Sequence, residues 1–347
     1  MAQEWPLKPL EFSKIAKKMT EGINICWWNA NDFYHFDPSM AAMDRWPSSE
    51  SEYLEKCKRV DAALLALFDK YGMPDLLALG EISNAAANAL QNRLLKGYLV
   101  KSLDVDIVSP SLQVAVFYAK NNSKRRFTEV QPIVPAAVPR GTRPMSVTDI
   151  SLPNTVIRCI ACHWNAKIGD NSETTRARIA DALAIYVYEF LNKKPIENRH
   201  IIILGDLNDE PYGVPHQFLH GHMHRSRSMR AAHWADHDMK RVHLYNCAWR
   251  LFGENNAHSP GSTSLLENAA GTYFWEKKNA WSVIDQIIVS GGLLTHDAPY
   301  IDEATLVVGS LPEFMPDGLP LAFSKTAAGY KGLSDHLPII AKIVTQE

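Results

Sequence analysis

The sequence predicts an α/β fold, and three observations carry that reading. Ile201-Ile202-Ile203-Leu204 is a run of four large apolar residues, three of them β-branched, as a strand buried on both faces requires. From Glu50 to Tyr71 the apolar residues Tyr53, Cys57, Val60, Leu64, Leu67, Phe68 and Tyr71 recur at helical spacing. Helix and strand signals of these two kinds then alternate along all 347 residues, with no internal repeat or low-complexity segment.

Residues 23–28 read as the first strand, 29–32 as its polar exit, and 33–49 as a loop rich in aromatic residues, Pro and Ser. Gly72 stands where the C-cap of the 50–71 helix belongs. Residues 75–80 form a second strand ending at Glu81, and Ser83 or Asn84 caps a helix running to about residue 96. Strands follow at 98–101, 114–118 and 127–134, then a proline-rich loop over 135–144. A buried strand over 155–162 delivers His163 at its end, and Ser172 caps a helix with Ile179, Leu183, Tyr186 and Phe190 on one face. Residues 214–243 are rich in His and Arg and show no clear period, and late strands are expected at 271–275, 281–289 and 337–343.

Composition is that of a globular protein: 46% hydrophobic and 21% charged, which excludes disordered and fibrous classes. No apolar run approaches the ~20 residues of a membrane span. Residues 1–20 are a mixed polar extension without the apolar centre of a signal peptide, so the chain is expected in the cytoplasm. Five cysteines without framework spacing read as buried free thiols. A formal net charge of -2 signals no wholesale polyanion-binding surface, so contact with nucleic acid needs local basic patches or metal ions.

Chemistry-bearing residues recur at the strand ends. Asn29, Glu81, His163, Asp206 with Asn208, Asp285 and Asp335-His336 each follow or terminate an apolar run. Asp206 and Asn208, two apart in an extended tail, point the same way from the lip of a core strand. Hard oxygen donors of this kind suit Mg²⁺ or Mn²⁺, with Ca²⁺ a further candidate, rather than Zn²⁺. Two histidines alongside can stabilise or protonate a phosphoryl oxygen. Taken singly each has an ordinary explanation: Glu81 as a helix cap, His163 as a histidine at a sheet edge, Asp335-His336 as a polar pair before a strand.

Together, the series Trp28-Asn29, Leu79-Gly80-Glu81, Cys162-His163, Gly205-Asp206-Leu207-Asn208-Asp209, Ile284-Asp285 and Ser334-Asp335-His336-Leu337-Pro338 resembles the endonuclease/exonuclease/phosphatase superfamily, which contains deoxyribonuclease I. The motifs occur in the family's order and span most of the chain, which argues for one domain over residues 21–347 with an insertion at about 214–243. The resemblance implies a four-layer α/β/β/α sandwich of two mainly antiparallel sheets flanked by helices, with the site at one end. It makes Glu81 the principal metal carboxylate, with Asn29 and Asp335 beside it. It gives Asp206 the attacking water, Asn208 the positioning of water and phosphate, and His163 and His336 the phosphate oxygens. Asp285 then holds the His336 ring, a role a buried carboxylate also has on physical grounds.

The resemblance also has departures. Asn31 stands where some relatives carry a second acidic residue, so one firmly bound ion is expected. Arg176 and Arg178 open the helix after the His163 loop, where many relatives aim an Arg at the site. Tyr118 ends Val114-Ala115-Val116-Phe117-Tyr118, similar to a family segment ending in Tyr-Arg, with Ala119 in place of that Arg. Thr272-Tyr273 resembles a late Gly-Thr-Tyr segment of bacterial relatives and is expected to line the cleft. Asn31, Tyr118, Arg176, Arg178 and Thr272 are therefore candidate substrate contacts. Lys124, Arg125 and Arg126, with Arg225, Arg227 and Arg230, are candidate contacts to a phosphate backbone, although solvated loops are the more ordinary reading. His220, His222 and His224 alternate, but no Cys or carboxylate pattern completes a zinc set.

The activity so implied is metal-dependent phosphodiester hydrolysis, foremost by a monomeric nuclease acting on DNA. A small-molecule or lipid phosphatase, including a sphingomyelinase-like one, uses the same core and is the alternative. The inositol-polyphosphate phosphatase signature is absent at 281–286. A catalytically silent nucleic-acid-binding protein is disfavoured because every core motif is present. No membrane and no protein partner is implied.

Overall fold

The computed structural model describes residues 22–102, 112–119, 124–135, 142–167, 172–193, 198–220, 244–253, 269–295 and 297–345. Along the chain β1 (Ile23–Phe33) is followed by α1 (Glu50–Tyr71), β2 (Leu76–Ile82), α2 (Asn84–Arg93), β3 (Tyr98–Ser102) and β4 (Gln113–Ala119). Then come β5 (Arg126–Ile133), β6 (Met145–Leu152), β7 (Thr155–His163), α3 (Ser172–Leu191), β8 (Arg199–Asp206) and α4 (Val214–His220). After β9 (Leu244–Asn246), β10 (Tyr273–Trp275) and β11 (Ala280–Ser282) run β12 (Asp285–Ser290) and β13 (Tyr300–Val308). A hairpin of β14 (Ser324–Thr326) and β15 (Gly329–Lys331) precedes β16 (Ile339–Val344).

Two six-stranded sheets result, ordered β13-β16-β1-β2-β4-β3 and β5-β6-β7-β8-β12-β9. All neighbours are antiparallel except one central pair in each sheet, β1 with β2 and β7 with β8. A parallel pair needs a crossover, and α1 and α3 provide the two. Both parallel pairs therefore end at the same kind of place, beyond the carboxyl ends of adjacent strands, where open α/β sheets build their sites.

Alternation along β8 explains its unbroken apolar run. Ile202 and Leu204 join Ile157, Cys159 and Ile287 in the core between the sheets, while Ile201 and Ile203 pack against Ile179, Leu183, Val187 and Phe190 of α3. Both faces are covered, so neither tolerates polar residues. On the other side Val60, Leu64 and Leu67 of α1 and Ala86 and Leu90 of α2 pack onto the first sheet. The layers are helix, sheet, sheet, helix: the α/β sandwich that the sequence implied.

Helix α1 has the predicted bounds and the predicted Gly72 end. The Ser49 side chain accepts from the Glu52 amide, Glu50 and Glu52 sit in the first turn, Lys70 in the last, and Gly72 ends it at φ 87°. Strand β1 runs on through the expected polar exit to Phe33, and α2 stops at Arg93, short of 96. The strand expected over 281–289 is broken at Val283-Ile284. Ile284 O there accepts from Leu207 N, and the chain changes partner from β10 to β8.

Strand β6 was not expected: its Ser146 and Thr148 are buried yet polar, which breaks up the apolar run that marks a core strand. Helix α4 occupies the start of the His/Arg-rich stretch, whereas residues 221–243 and the N-terminal extension 1–20 lie outside the described residues. All five cysteines are free and buried. Among the described residues no helix is long and apolar enough to cross a membrane.

Candidate active site

Strand register assembles the centre of the site. His163 of β7 pairs with Asp206 of β8, and Asp206 pairs in turn with Asp285 of β12. Gly205 allows this: a Cβ there would lie 1.9 Å from the Cys162 carbonyl oxygen, so any other residue would force β7 and β8 apart. In the first sheet Asn29 pairs with Gly80, one residue before Glu81. A Cβ on Gly80 would lie 2.8 Å from the Trp27 ring, which needs that space to reach the second sheet.

Side chains from the two sheets then meet. Asn29 Nδ2 donates to Asp206 Oδ2 at 3.1 Å, and Trp27 Nε1 donates to Asp285 Oδ1 at 2.7 Å. The other Asp285 oxygen is 2.8 Å from His336 Nδ1, which leaves His336 Nε2 facing Asn29 Nδ2 at 3.5 Å and Asp206 Oδ2 at 3.8 Å. His163 Nε2 lies 3.4 Å from Asp206 Oδ2 and 3.7 Å from Glu81 Oε1. Asn208 donates its amide to Asp206 Oδ1 at 2.8 Å and its side-chain nitrogen to Trp164 O at 2.9 Å. Asp335 Oδ1 is 4.0 Å from His336 Nε2 and, although buried, has no hydrogen-bond partner among the described residues.

The backbone is strained at the same place. Asn31, Asp32 and Asn208 have φ of 49° and Glu81 of 53°, in the left-handed region that Asn and Asp visit more readily than Glu. A Glu held there is a feature the surrounding structure must enforce. The Asp32 amide does part of this by donating to Glu81 Oε2 at 3.0 Å.

Burial and neighbouring charges set the protonation states. Asp206 is pushed up to about 7 by burial and by the Asp285 and Glu81 carboxylates, against the pull of His336 and the Asn208 amide. Burial opposes charge on His336 too, but Asp285 and Asp206 outweigh it and raise the imidazole to about 10. Burial, helped by Arg143, holds His163 well below the ordinary histidine value. Asp335 is raised by burial and by Glu81 and Asp285. The site thus pairs a protonated histidine with a neutral one, beside a carboxyl poised near neutrality. That is the equipment of acid–base chemistry on an anionic substrate.

The endonuclease/exonuclease/phosphatase family model matches residues 31–345. The chain belongs to this family. Among solved structures, humanised D. rerio TDP2 is 15% identical, with a TM-score of 0.54 over 94% of this chain and 100% of that one. The Bacteroides thetaiotaomicron mannosyl-6-phosphatase Bt3783 is 17% identical, with a TM-score of 0.53 over 93% and 99%. D. rerio TDP2 complexed with a single-strand DNA product is 15% identical, at 0.51 over 93% and 99%. At these identities the likeness is one of fold. No curated protein matches by sequence. As a member of the family the chain is a phosphoesterase.

Outside the centre, the family-based candidates divide. Thr272 Oγ1 accepts from the amides of Ile284 and Asp285 at 3.2 and 3.0 Å, so it fixes the start of β12 and with it Asp285. Asn31 is beside the site, engaged through its backbone: its amide donates to Asn29 Oδ1 at 2.9 Å and its carbonyl accepts from Lys56. Tyr118 lies at the wrong end. It pairs with Leu76, five residues from Glu81 on β2 and so roughly 17 Å along the strand. Its hydroxyl donates to Glu129 at 2.8 Å. Arg176 is buried on Asp209 at 3.4 Å and Asn165 O at 3.4 Å, and Arg178 is exposed on α3.

Arg125 and Arg126, two of the candidate backbone contacts, do not lie at the site. Arg126 pairs with Ser151 at the end of the second sheet remote from His163, and Arg125 is bound to Asp75 and Gly22 O. Arg225, Arg227, Arg230 and the alternating His222 and His224 lie outside the described residues. Three participants went unrecognised in the sequence. Trp27 anchors Asp285. Arg45 pairs with Asp32 at 2.6 Å and Glu81 at 3.7 Å, and Lys56, buried on α1, is lowered to about 8 by burial despite the pull of Asp32, Glu81 and Asp335. Arg45 carries no local signal, since its place depends on a loop. A buried Lys at a core-facing helical position was the legible sign of Lys56.

Proposed function

We propose that the protein hydrolyses phosphodiester bonds with a divalent cation, foremost in DNA. The observation that supports this is the partnerless, buried Asp335 Oδ1 beside Glu81 in a site with four acidic side chains and one protonated imidazole. Such an oxygen is costly unless a cation satisfies it. Glu81, Asn29 and Asp335 fit a hard ion, Mg²⁺ or Mn²⁺ or Ca²⁺, as oxygen donors. An alternative cluster of Asp206, Asp285 and His336 has ligand atoms within 4.8 Å of one another. Both Asp285 oxygens there already accept from Trp27 Nε1 and His336 Nδ1, whereas Asp335 Oδ1 has no partner among the described residues.

The bound ion would neutralise charge building on the phosphoryl group. This chain's own residues do the rest. Asp206, with its pKa near the working pH, takes the proton of the attacking water. Protonated His336 donates from Nε2 to a phosphoryl oxygen while Asp285 fixes its ring by accepting from Nδ1. Neutral His163 donates to a second oxygen, and Asn208 orders the loop around Asp206. Tyr273, whose ring lies 4.7 Å from that of His336, is raised to about 12 by burial and by the Asp335, Asp206 and Glu81 carboxylates, and stays a hydroxyl donor.

DNA as substrate is supported by the fold likeness to a TDP2 solved with a single-strand DNA product. A small phosphate ester is the second reading, favoured by the remote location of Arg125 and Arg126. Incubation with plasmid DNA and Mg²⁺ or Mn²⁺, beside a panel of phosphomonoesters, tests the choice. Metal-dependent DNA cleavage is expected; release of phosphate from monoesters with intact plasmid would overturn it.

A further inference from the structure

Next to the carboxylates is a pocket of about 330 Å³, bounded by the loop after β1, by α1 and by the β14–β15 hairpin. Its inner wall is shared with the site. Arg45, at φ 71°, donates from Nε to Asp32 Oδ2 at 2.8 Å and also reaches Glu81, and Lys56 crosses from α1 to the Asn31 carbonyl. Its outer wall is aromatic: Tyr34 stacks on Trp46 with ring centroids 4.2 Å apart, and both rings are part-exposed. Phe323 also lines the pocket, under the Lys56 ammonium.

We infer that this pocket is a subsite for a nucleobase, that of the nucleotide whose phosphate reacts beside Glu81. The inference rests on the phosphoesterase reading above and names the part of the substrate that reading leaves open. Size is the first reason: the pocket falls at the lower end of the roughly 300–1,000 Å³ of ligand sites and admits one nucleoside, not a duplex. Chemistry is the second. Asp32, Asp44 and Glu52 offer acceptors, and Arg45, Lys56 and Lys325 offer donors. A hydrocarbon tail uses neither, and a second phosphate meets three carboxylates that offset the three cations. A heterocycle carries donors and acceptors on its edge and a π face to lay on the Tyr34–Trp46 pair, which is how proteins hold single unpaired bases. Continuity is the third, since Arg45 borders both the pocket and Glu81.

Binding of adenosine 5′-monophosphate, ribose 5-phosphate and inorganic phosphate to the full chain, by calorimetry and tryptophan fluorescence, tests the inference. The nucleotide should bind about tenfold more tightly than ribose 5-phosphate. Trp46→Ala should bring that ratio close to one. Trp46→Leu keeps an apolar side chain in the loop and serves if the alanine variant unfolds. Equal affinity for the two phosphates, or a ratio that survives in a folded Trp46 variant, would overturn it. The readout is independent of turnover. A base preference without any cleavage would sink the proposed reaction and leave the subsite standing, and cleavage without a base preference would do the reverse.

Discussion

Away from the site, three buried or half-buried carboxylates face a guanidinium. Asp61 meets Arg93 at 2.8 Å, Asp149 holds Arg158 through two 2.7 Å bonds, and Asp75 is bound by Arg125. At the site Glu81, Asp206, Asp285 and Asp335 share two histidines, one of them neutral, with Arg45, Lys56 and Arg143 at the edge. The same residue types thus sit in two regimes. Paired acids give structure, because breaking a buried pair strands the partner. At the site Asp206 and Asp335 are raised by burial and neighbouring carboxylates, whereas His163 and the Asp32 amide hold Glu81 down at about 2 despite its burial; the two raised acids are kept at a cost in stability that binding of a cation and of an anionic substrate relieves.

The comparison breaks most sharply through turnover. Asp206→Asn should lower kcat by roughly 10²–10⁴-fold while the protein stays folded. Near-normal kcat in this variant would mean that the site acids are merely structural. The reverse holds for the paired acids. Asp61→Ala should cost about 3 kcal/mol in denaturant unfolding by leaving Arg93 without its partner, with specific activity of the folded fraction unchanged. An equal loss of activity would blur the two regimes.

The smallest effect is on pH. Asp206 has a folded pKa raised from 3.8 to about 7, so the stability of its neutral form is fully present below 3.8 and is lost as pH rises through 7. In chelator, the Tm of Asp206→Asn should therefore match wild type near pH 4 and exceed it by a few degrees above pH 7. Parallel Tm profiles would show that Asp206 is not the strained acid.

Much of this could be read in the sequence because strand ends and apolar runs are local signals. The α1 bounds, the β8 run and the six strand-end motifs needed no knowledge of the partner strands. What failed depended on register. Tyr118 looked like a cleft residue by its local segment, but antiparallel pairing of β4 with β2 carries it to the other end. Arg176 sits where an Arg is expected, but buried Asp209 claims it first. Strand β6 hid behind its polar inward residues. Arg45 owes its place to a loop conformation that no periodicity encodes.

The central claim is that a cation is held by Glu81, Asn29 and Asp335. Anomalous diffraction from crystals soaked in Mn²⁺ tests it most directly. A single strong peak within about 2.2 Å of a Glu81 carboxylate oxygen, lost in Glu81→Gln, is expected. A peak inside the Asp206–Asp285–His336 triangle instead, or one that persists in Glu81→Gln, would contradict it.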